Sequence, residues 1–203
     1  MEIHPFNFNL MKKSSRILIL ILVLSLIAVY FVPLWNISLE APQYPEGLGM
    51  QIWLSKMTGD LNTINGLNHY IGMKTIQPDS IQELKYMPFI IGFIIMTGLI
   101  VFLFNKRTLL LSWIILIIIT GIAGMYDFWL WEYDYGHNLD TTAAIIVPGM
   151  NYQPPLIGSK QLLNFTATSM PDTGGIIIFA VGITAVLILI YEYKFNKTQN
   201  VKN

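Results

Sequence analysis

The chain has 203 residues, no cysteine, and twelve basic residues balanced by twelve acidic ones. Hydrophobic residues make up 54% and charged residues only 12%, about half the charged share of a soluble domain. This composition points to one integral membrane domain over 1–203, and it excludes disulfide staples, thiolate metal sites and Cys-x-x-Cys-His haem attachment.

The first apolar run, Ile17–Leu34, follows Lys12, Lys13 and Arg16. It is long and ends in Val-Pro-Leu-Trp with no small-x-small site after it, so we expect an uncleaved anchor spanning about 17–35. Segment 37–87 comes next. Its Trp53, Tyr70 and Tyr86 and its Pro and Gly punctuation mark it as folded, because disordered linkers lack bulky residues of this kind. Within it, Leu48–Thr58 reads as a short helix with Leu48, Ile52 and Met57 on one side, closed by Gly59-Asp60. A second short helix is expected within Asn62–Met73. Pro78-Asp79-Ser80 with Glu83 reads as the start of a further helix, leading through Pro88 into a span over 88–104.

A short basic turn at Lys106-Arg107 separates this from a third span, 108–130. That helix is expected to run past the membrane surface through Trp131 and Glu132, its Trp and Tyr residues forming an interfacial belt. Gly121 and Gly124 would allow close helix contact there. Segment 131–174 is again rich in aromatics and prolines, and a fourth span follows over 175–192. Each run meets the roughly 20 residues that a ~30 Å hydrocarbon core requires, taking ~17 as the lower limit. The expected architecture is an all-α, four-helix membrane protein in which segments 37–87 and 131–174 form an ordered cap.

Charge orients it. Lys12, Lys13, Arg16, Lys106, Arg107, Lys194, Lys197 and Lys202 lie in the two tails or the short turn, offset only by Glu2 and Glu192. The remaining ten acids, Asp127 included, sit in or beside the two long segments with four lysines. Basic residues stay on the cytoplasmic side. Both termini are therefore expected in the cytoplasm, with the two long segments on the outer face of a bacterial inner membrane.

Few residues could carry chemistry. His69 and Met73 are four apart and would share a helical face; imidazole and thioether suit copper, the cuprous ion above all. His137, three residues after Asp134, and Met150, in the Val147–Pro155 turn, lie on the same outer face. His69, Met73, His137 and Met150, with Asp134 as fourth ligand or support, form the candidate metal set. The competing reading makes the histidines ordinary hydrogen-bonding residues and the methionines gap fillers. Asp127, in the outer turn of the third span, is either a relay group or a headgroup-level carboxylate paired with Lys160 or an indole N–H. His4 lies in the cytoplasmic tail and has no assigned role. A phosphate-binding glycine loop is absent, so no nucleotide is expected, and the scattered basic residues do not suit nucleic acid.

Four stretches, Leu39–Leu48, Ile64–Met73, Val147–Met150 and Pro155–Gln161, together resemble a family of small bacterial inner-membrane proteins. These are encoded, chiefly in Bacteroidetes-like genomes, beside nitrous oxide reductase and its copper-delivery and ABC-transporter maturation proteins. The resemblance covers residues 30–175. It implies an accessory part in making or supporting a periplasmic copper enzyme, through copper handling or docking, and it supplies no catalytic residues. A fainter similarity, to the membrane subunits of copper monooxygenases, rests on an Asp-x-x-x-His pattern. Here Asp134 and His137 are one residue too close, and His69 lies on another segment.

The expectation is thus a non-catalytic accessory protein of a copper-dependent respiratory pathway, its partners being the bilayer and other membrane or periplasmic proteins. Two alternatives stay open: a metal-free structural subunit of a transporter or electron-transfer complex, and a membrane copper enzyme subunit using Asp127, Asp134 and His137.

Overall fold

A computed structural model describes residues 10–202, with side chains to Lys194; Glu2, His4, Lys197 and Lys202 lie outside that description. Four helices are long and apolar enough to cross a membrane. They are α1 (Lys13–Ala28, prolonged by a 3-10 turn Val29–Phe31), α3 (Glu83–Phe104), α4 (Arg107–His137) and the N-terminal part of α5 (Thr173–Lys202). The first ends at Phe31, short of the expected boundary, because Pro33 blocks further helix and the chain enters a strand at Trp35. The third continues past Glu132 to His137, as its sequence indicated.

The remaining elements correct the all-α expectation. Strands β1 (Trp35–Ala41), β2 (Tyr44–Ile52), β3 (Met57–Gly59), β4 (Gly158–Leu162) and β5 (Phe165–Pro171) form one antiparallel sheet in the order β3-β2-β1-β5-β4. The stretch expected as helix, Leu48–Thr58, is the end of β2, a four-residue turn and β3. Its physical cause lies in the side-chain period. Leu48 and Met50 are both buried with Gly49 between them, and Trp35 and Ile37 are buried with Asn36 between them, which is strand alternation. The β1–β2 hairpin pairs Ala41 with Tyr44 across Pro42-Gln43, and its register shifts between Leu39 and Ala41. Gly47, at φ 75°, takes up that irregularity, a conformation any other residue would adopt at a cost. Downstream, β1 pairs Trp35 with Pro171 and Leu39 with Ala167. The two long segments therefore share a single sheet.

One short helix, α2 (Leu61–Ile71), follows β3 and ends at Gly72, whose φ is 78°. Asp60 precedes it and ties it to the sheet: its amide donates to the Gly49 carbonyl at 2.8 Å, and its carboxylate accepts from the Gly49 amide at 2.9 Å.

By contact pattern the chain forms two compact units. The bundle unit comprises the described residues up to Ala28, Phe89–Gly121 and those from Ile177 onward. Its tightest contact is at Gly98, where a Cβ would lie 2.5 Å from Val23 Cγ2 and 2.9 Å from the Trp113 ring. Trp113 donates its indole N–H to the Ile94 carbonyl at 2.9 Å. Gly121 and Gly124, expected to bring helices together, have no neighbour within 4 Å of a Cβ placed there. A polar cluster closes one end of this unit. Glu192, fully buried, accepts from Ser15 Oγ at 2.5 Å, from the Lys12 amide at 3.0 Å, and from Arg107 Nε and Nη2 at 3.1 Å each. It joins the starts of α1 and α4 to α5.

The sheet unit comprises Val29–Pro88 and Ile122–Ile176. Trp35, Ile37, Leu48, Met50, Met57, Ile64, Ile76 and Leu84 form its core, with Met125, Phe128, Trp131 and Tyr135 of α4 packed against them. The Trp35 and Phe128 rings meet edge-on at 5.5 Å. Trp35 Nε1 donates to Ser169 Oγ at 2.8 Å, and Ser169 Oγ donates to the Leu156 carbonyl at 3.1 Å, satisfying a fully buried hydroxyl.

Candidate functional site

Within the sheet unit lies a cavity of about 320 Å³, at the small end of the range for small-molecule sites. Ile37, Leu39, Leu48 and Met50 of the sheet, Ile64 and Leu67 of α2, and Ala167 of β5 supply apolar wall. The end of α4 adds Trp131, Glu132 and Tyr135, and the chain beyond it adds Ile145, Tyr152 and Pro154.

Each wall is held by identifiable bonds. Asn65 Oδ1 accepts from the Ile76 amide at 2.6 Å and its Nδ2 donates to the Ile76 carbonyl at 2.9 Å. That side chain pairs with the backbone as a strand would, and it fixes residues 73–76 along α2. Tyr135 Oη donates to the Thr75 carbonyl at 3.3 Å, and Lys74 pairs with Asp134 at 2.6 Å. The stretch after α4 folds back as well: the Asp140 amide donates to the Gly72 carbonyl at 2.8 Å, and the Ile145 amide to the Tyr70 carbonyl at 2.9 Å. Asp140 accepts from the Thr142 amide at 2.8 Å and the Thr142 hydroxyl at 2.7 Å. Those bonds hold its carboxyl below the usual range, the amide bond contributing most.

Gly136 seats the last wall. The Tyr152 amide donates to the Gly136 carbonyl at 2.9 Å, and a Cβ on Gly136 would overlap the backbone of Gln153. Only glycine lets this strand of chain lie so close to the helix. Lys160 Nζ supports it from the sheet by donating to the Gln153 carbonyl at 3.1 Å.

Three polar groups of the lining stand out, one of them the buried indole N–H of Trp131, which has no hydrogen-bond partner among the described residues. Glu132 has 0% exposure, and among the described residues neither of its carboxyl oxygens has a hydrogen-bond partner. Tyr152, 2% exposed, likewise has an unpartnered hydroxyl; burial pushes its phenol pKa up. Gly136 is one helical turn past Glu132, so the chain carrying Tyr152 docks on the face of α4 that carries the glutamate. Buried polar atoms without partners are rare and costly. The sequence reading placed Glu132 only as helix extension. Its signal was a lone carboxylate inside the aromatic run Trp129-Leu130-Trp131-Glu132-Tyr133.

The structure places the expected metal set as follows. Met73 lines the cavity. His69 is exposed on α2, near Asp140. Because α2 stops at Ile71 and Gly72 turns left-handed, His69 and Met73 do not share a helical face as their spacing implied. Asp134 is engaged by Lys74 and by Asn138 Nδ2. The His137 ring stacks on Tyr133 with centroids 4.0 Å apart, and its Nδ1 lies 3.1 Å from the Tyr133 carbonyl. Met150 closes a turn by donating its amide to the Val147 carbonyl at 3.1 Å. The Lys74–Asp134 pair brings the segment after α2 alongside α4. Among the described residues, no group of three or more His, Asp or Glu side chains is arranged to hold a metal ion. Asp127 is exposed, and Lys160, its expected partner, bonds to Asn151 and Gln153 instead.

In comparisons with known proteins, no family model, no curated protein and no solved structure matches this chain.

Proposed function

We propose that this chain is a multi-pass membrane protein whose sheet unit is a receptor for a small molecule, acting as an accessory and not as a catalyst. The observation that supports the reading is the cavity, mostly apolar in its walls, with the buried and unpartnered carboxyl of Glu132. The space opens beside exposed Tyr70 and Ile145, and an apolar pocket with a few polar groups in its lining is the usual form of a small-molecule site. The charge pattern supports a place for this unit on the periplasmic face of a bacterial inner membrane. The resemblance of residues 30–175 supports a part in making or supporting a copper enzyme, nitrous oxide reductase. Filling the cavity tests the reading. Ala167, fully buried on β5, lines it. Ala167→Leu, or Ala41→Leu at another point of the wall, should leave a folded, membrane-inserted protein that no longer restores nitrous oxide reduction to a deletion strain. Full restoration by both folded variants would reject the cavity as the working site.

One observation favours a copper-handling form of this function. Met50 and Met73 both line the cavity, and thioethers suit the cuprous ion. Copper measured on purified protein should then fall in a Met50→Leu/Met73→Leu variant, and equal copper content would reject that form.

A further inference from the structure

We infer that the cavity of the sheet unit binds an organic ammonium ion, a protonated amine on an apolar body, with Glu132 as its counter-charge. The inference rests on the receptor reading above and names its ligand class. Three features of the lining converge on this chemistry.

The first is the carboxyl. An isolated carboxylate away from water is costly, and a cation with N–H donors offsets that cost by charge and by hydrogen bonds together. Glu132 has two acceptor oxygens without partners, which an ammonium's three donors suit. Tyr152 Oη, also unpartnered, offers a third acceptor in the same lining.

The second feature is aromatic. Tyr44, Tyr70, Trp131, Tyr135, Tyr152 and Phe165 all line the space. Rings of this kind attract a desolvated cation through their negative faces, and aromatic cages are the recurrent solution for ammonium ligands. The third is the rest of the wall, which is largely aliphatic and admits no lysine or arginine. An anionic ligand would face the Glu132 carboxyl with only the unpartnered indole N–H of Trp131 to meet it. A wholly apolar ligand would leave its oxygens as they are.

The ammonium group has two possible sources: a free hydrophobic amine, or a lipid headgroup such as that of phosphatidylethanolamine. Both present the same chemistry to Glu132, and the test separates them.

The full chain, purified in detergent, is titrated with 2-phenylethylammonium and with 2-phenylethanol, its neutral counterpart, by calorimetry. The amine should bind and the alcohol should bind at least about 30-fold more weakly. Glu132→Gln keeps the shape and removes the charge, and it should weaken amine binding about 30-fold or more, as loss of one partner of a buried charge pair does. Tyr152→Phe should weaken it about 5-fold, the size of one hydrogen bond. Repeating the titration in nanodiscs separates the sources. Weaker apparent binding in phosphatidylethanolamine than in phosphatidylcholine, which has the same net charge but no N–H donors, identifies the lipid headgroup as a competing occupant, and equal binding identifies the free amine. If the alcohol binds as well as the amine and Ala167→Leu blocks both, the ammonium assignment falls while the receptor reading stands. If neither binds in any setting, the ammonium assignment falls; if Ala167→Leu and Ala41→Leu also restore function fully, the receptor reading falls with it.

Discussion

Among the described residues each unit contains one fully buried glutamate, and the two have opposite surroundings. Glu192, in the bundle unit, is met by Ser15, the Lys12 amide and Arg107. Glu132, in the sheet unit, meets no donor among the described residues and faces a cavity. Burial of a carboxylate costs the same kind of energy in both places. In the first it is offset by groups of the chain itself, which makes Glu192 a fastening. In the second it is left unmet, which is how a fold holds a site ready for something else. Burial alone therefore says little about a charged residue's purpose; its partners decide.

The comparison is broken most severely at Glu192. Glu192→Ala removes the acceptor shared by three donors and should cost about 3–5 kcal/mol, the range for removing one member of a buried ion pair. A large fall in melting temperature in detergent checks this, and an unchanged melting temperature would show the cluster to be incidental. Next in size is Gly98→Leu, which forces a side chain against Val23 and Trp113. It should destabilise the bundle by about 1–3 kcal/mol. Gly121→Ala, with open space around it, should shift stability by less than about 0.5 kcal/mol and serves as its control.

Glu132→Gln sharpens the contrast by reversing sign. Replacing an unpartnered carboxylate with a neutral amide of the same shape should leave the protein as stable or about 1 kcal/mol more stable, even as it loses its ligand. A loss as large as that of Glu192→Ala would mean that Glu132 has a structural partner. A small loss is expected of Lys74→Ala. Lys74 and Asp134 pair at 2.6 Å, yet their side chains are 50% and 42% exposed, so the change should cost under about 1 kcal/mol and fade with salt. Chemical or thermal unfolding at low and high ionic strength distinguishes the two contributions.

Much of the helical frame was legible in the residues. Glu83, expected in the first turn of a helix, begins α3, although Pro78–Ser80 form a separate 3-10 turn before it, and the aromatic tail of the third apolar run announced the length of α4. The sheet was misread for a specific reason. Leu48 and Ile52 are four apart, a spacing that serves a helix face and a strand face equally; Met50 between them, with Gly49 and Gln51 outside, is the alternation that selects the strand. The same alternation in Trp35, Ile37 and Leu39 was available. For the candidate site, Met73 was picked out and does line the cavity. Glu132 was passed over because its place in an aromatic run, the one local signal, does not tell whether the carboxyl finds a partner.

What the sequence determined by itself are properties set by consecutive residues: four apolar stretches of membrane length, the segregation of basic residues, and the turns that end helices. Hydrocarbon thickness and helix rise convert directly into run length, so no distant contact is needed to read them. The cavity was decided by tertiary structure alone. Its walls come from β1, β2 and β5, from α2, from the end of α4, and from the chain beyond α4. Whether Glu132 finds a partner there depends on which of those segments fold back against it. That outcome follows from strand register and from the close docking of residue 152 at Gly136, neither of which any single stretch of the chain encodes.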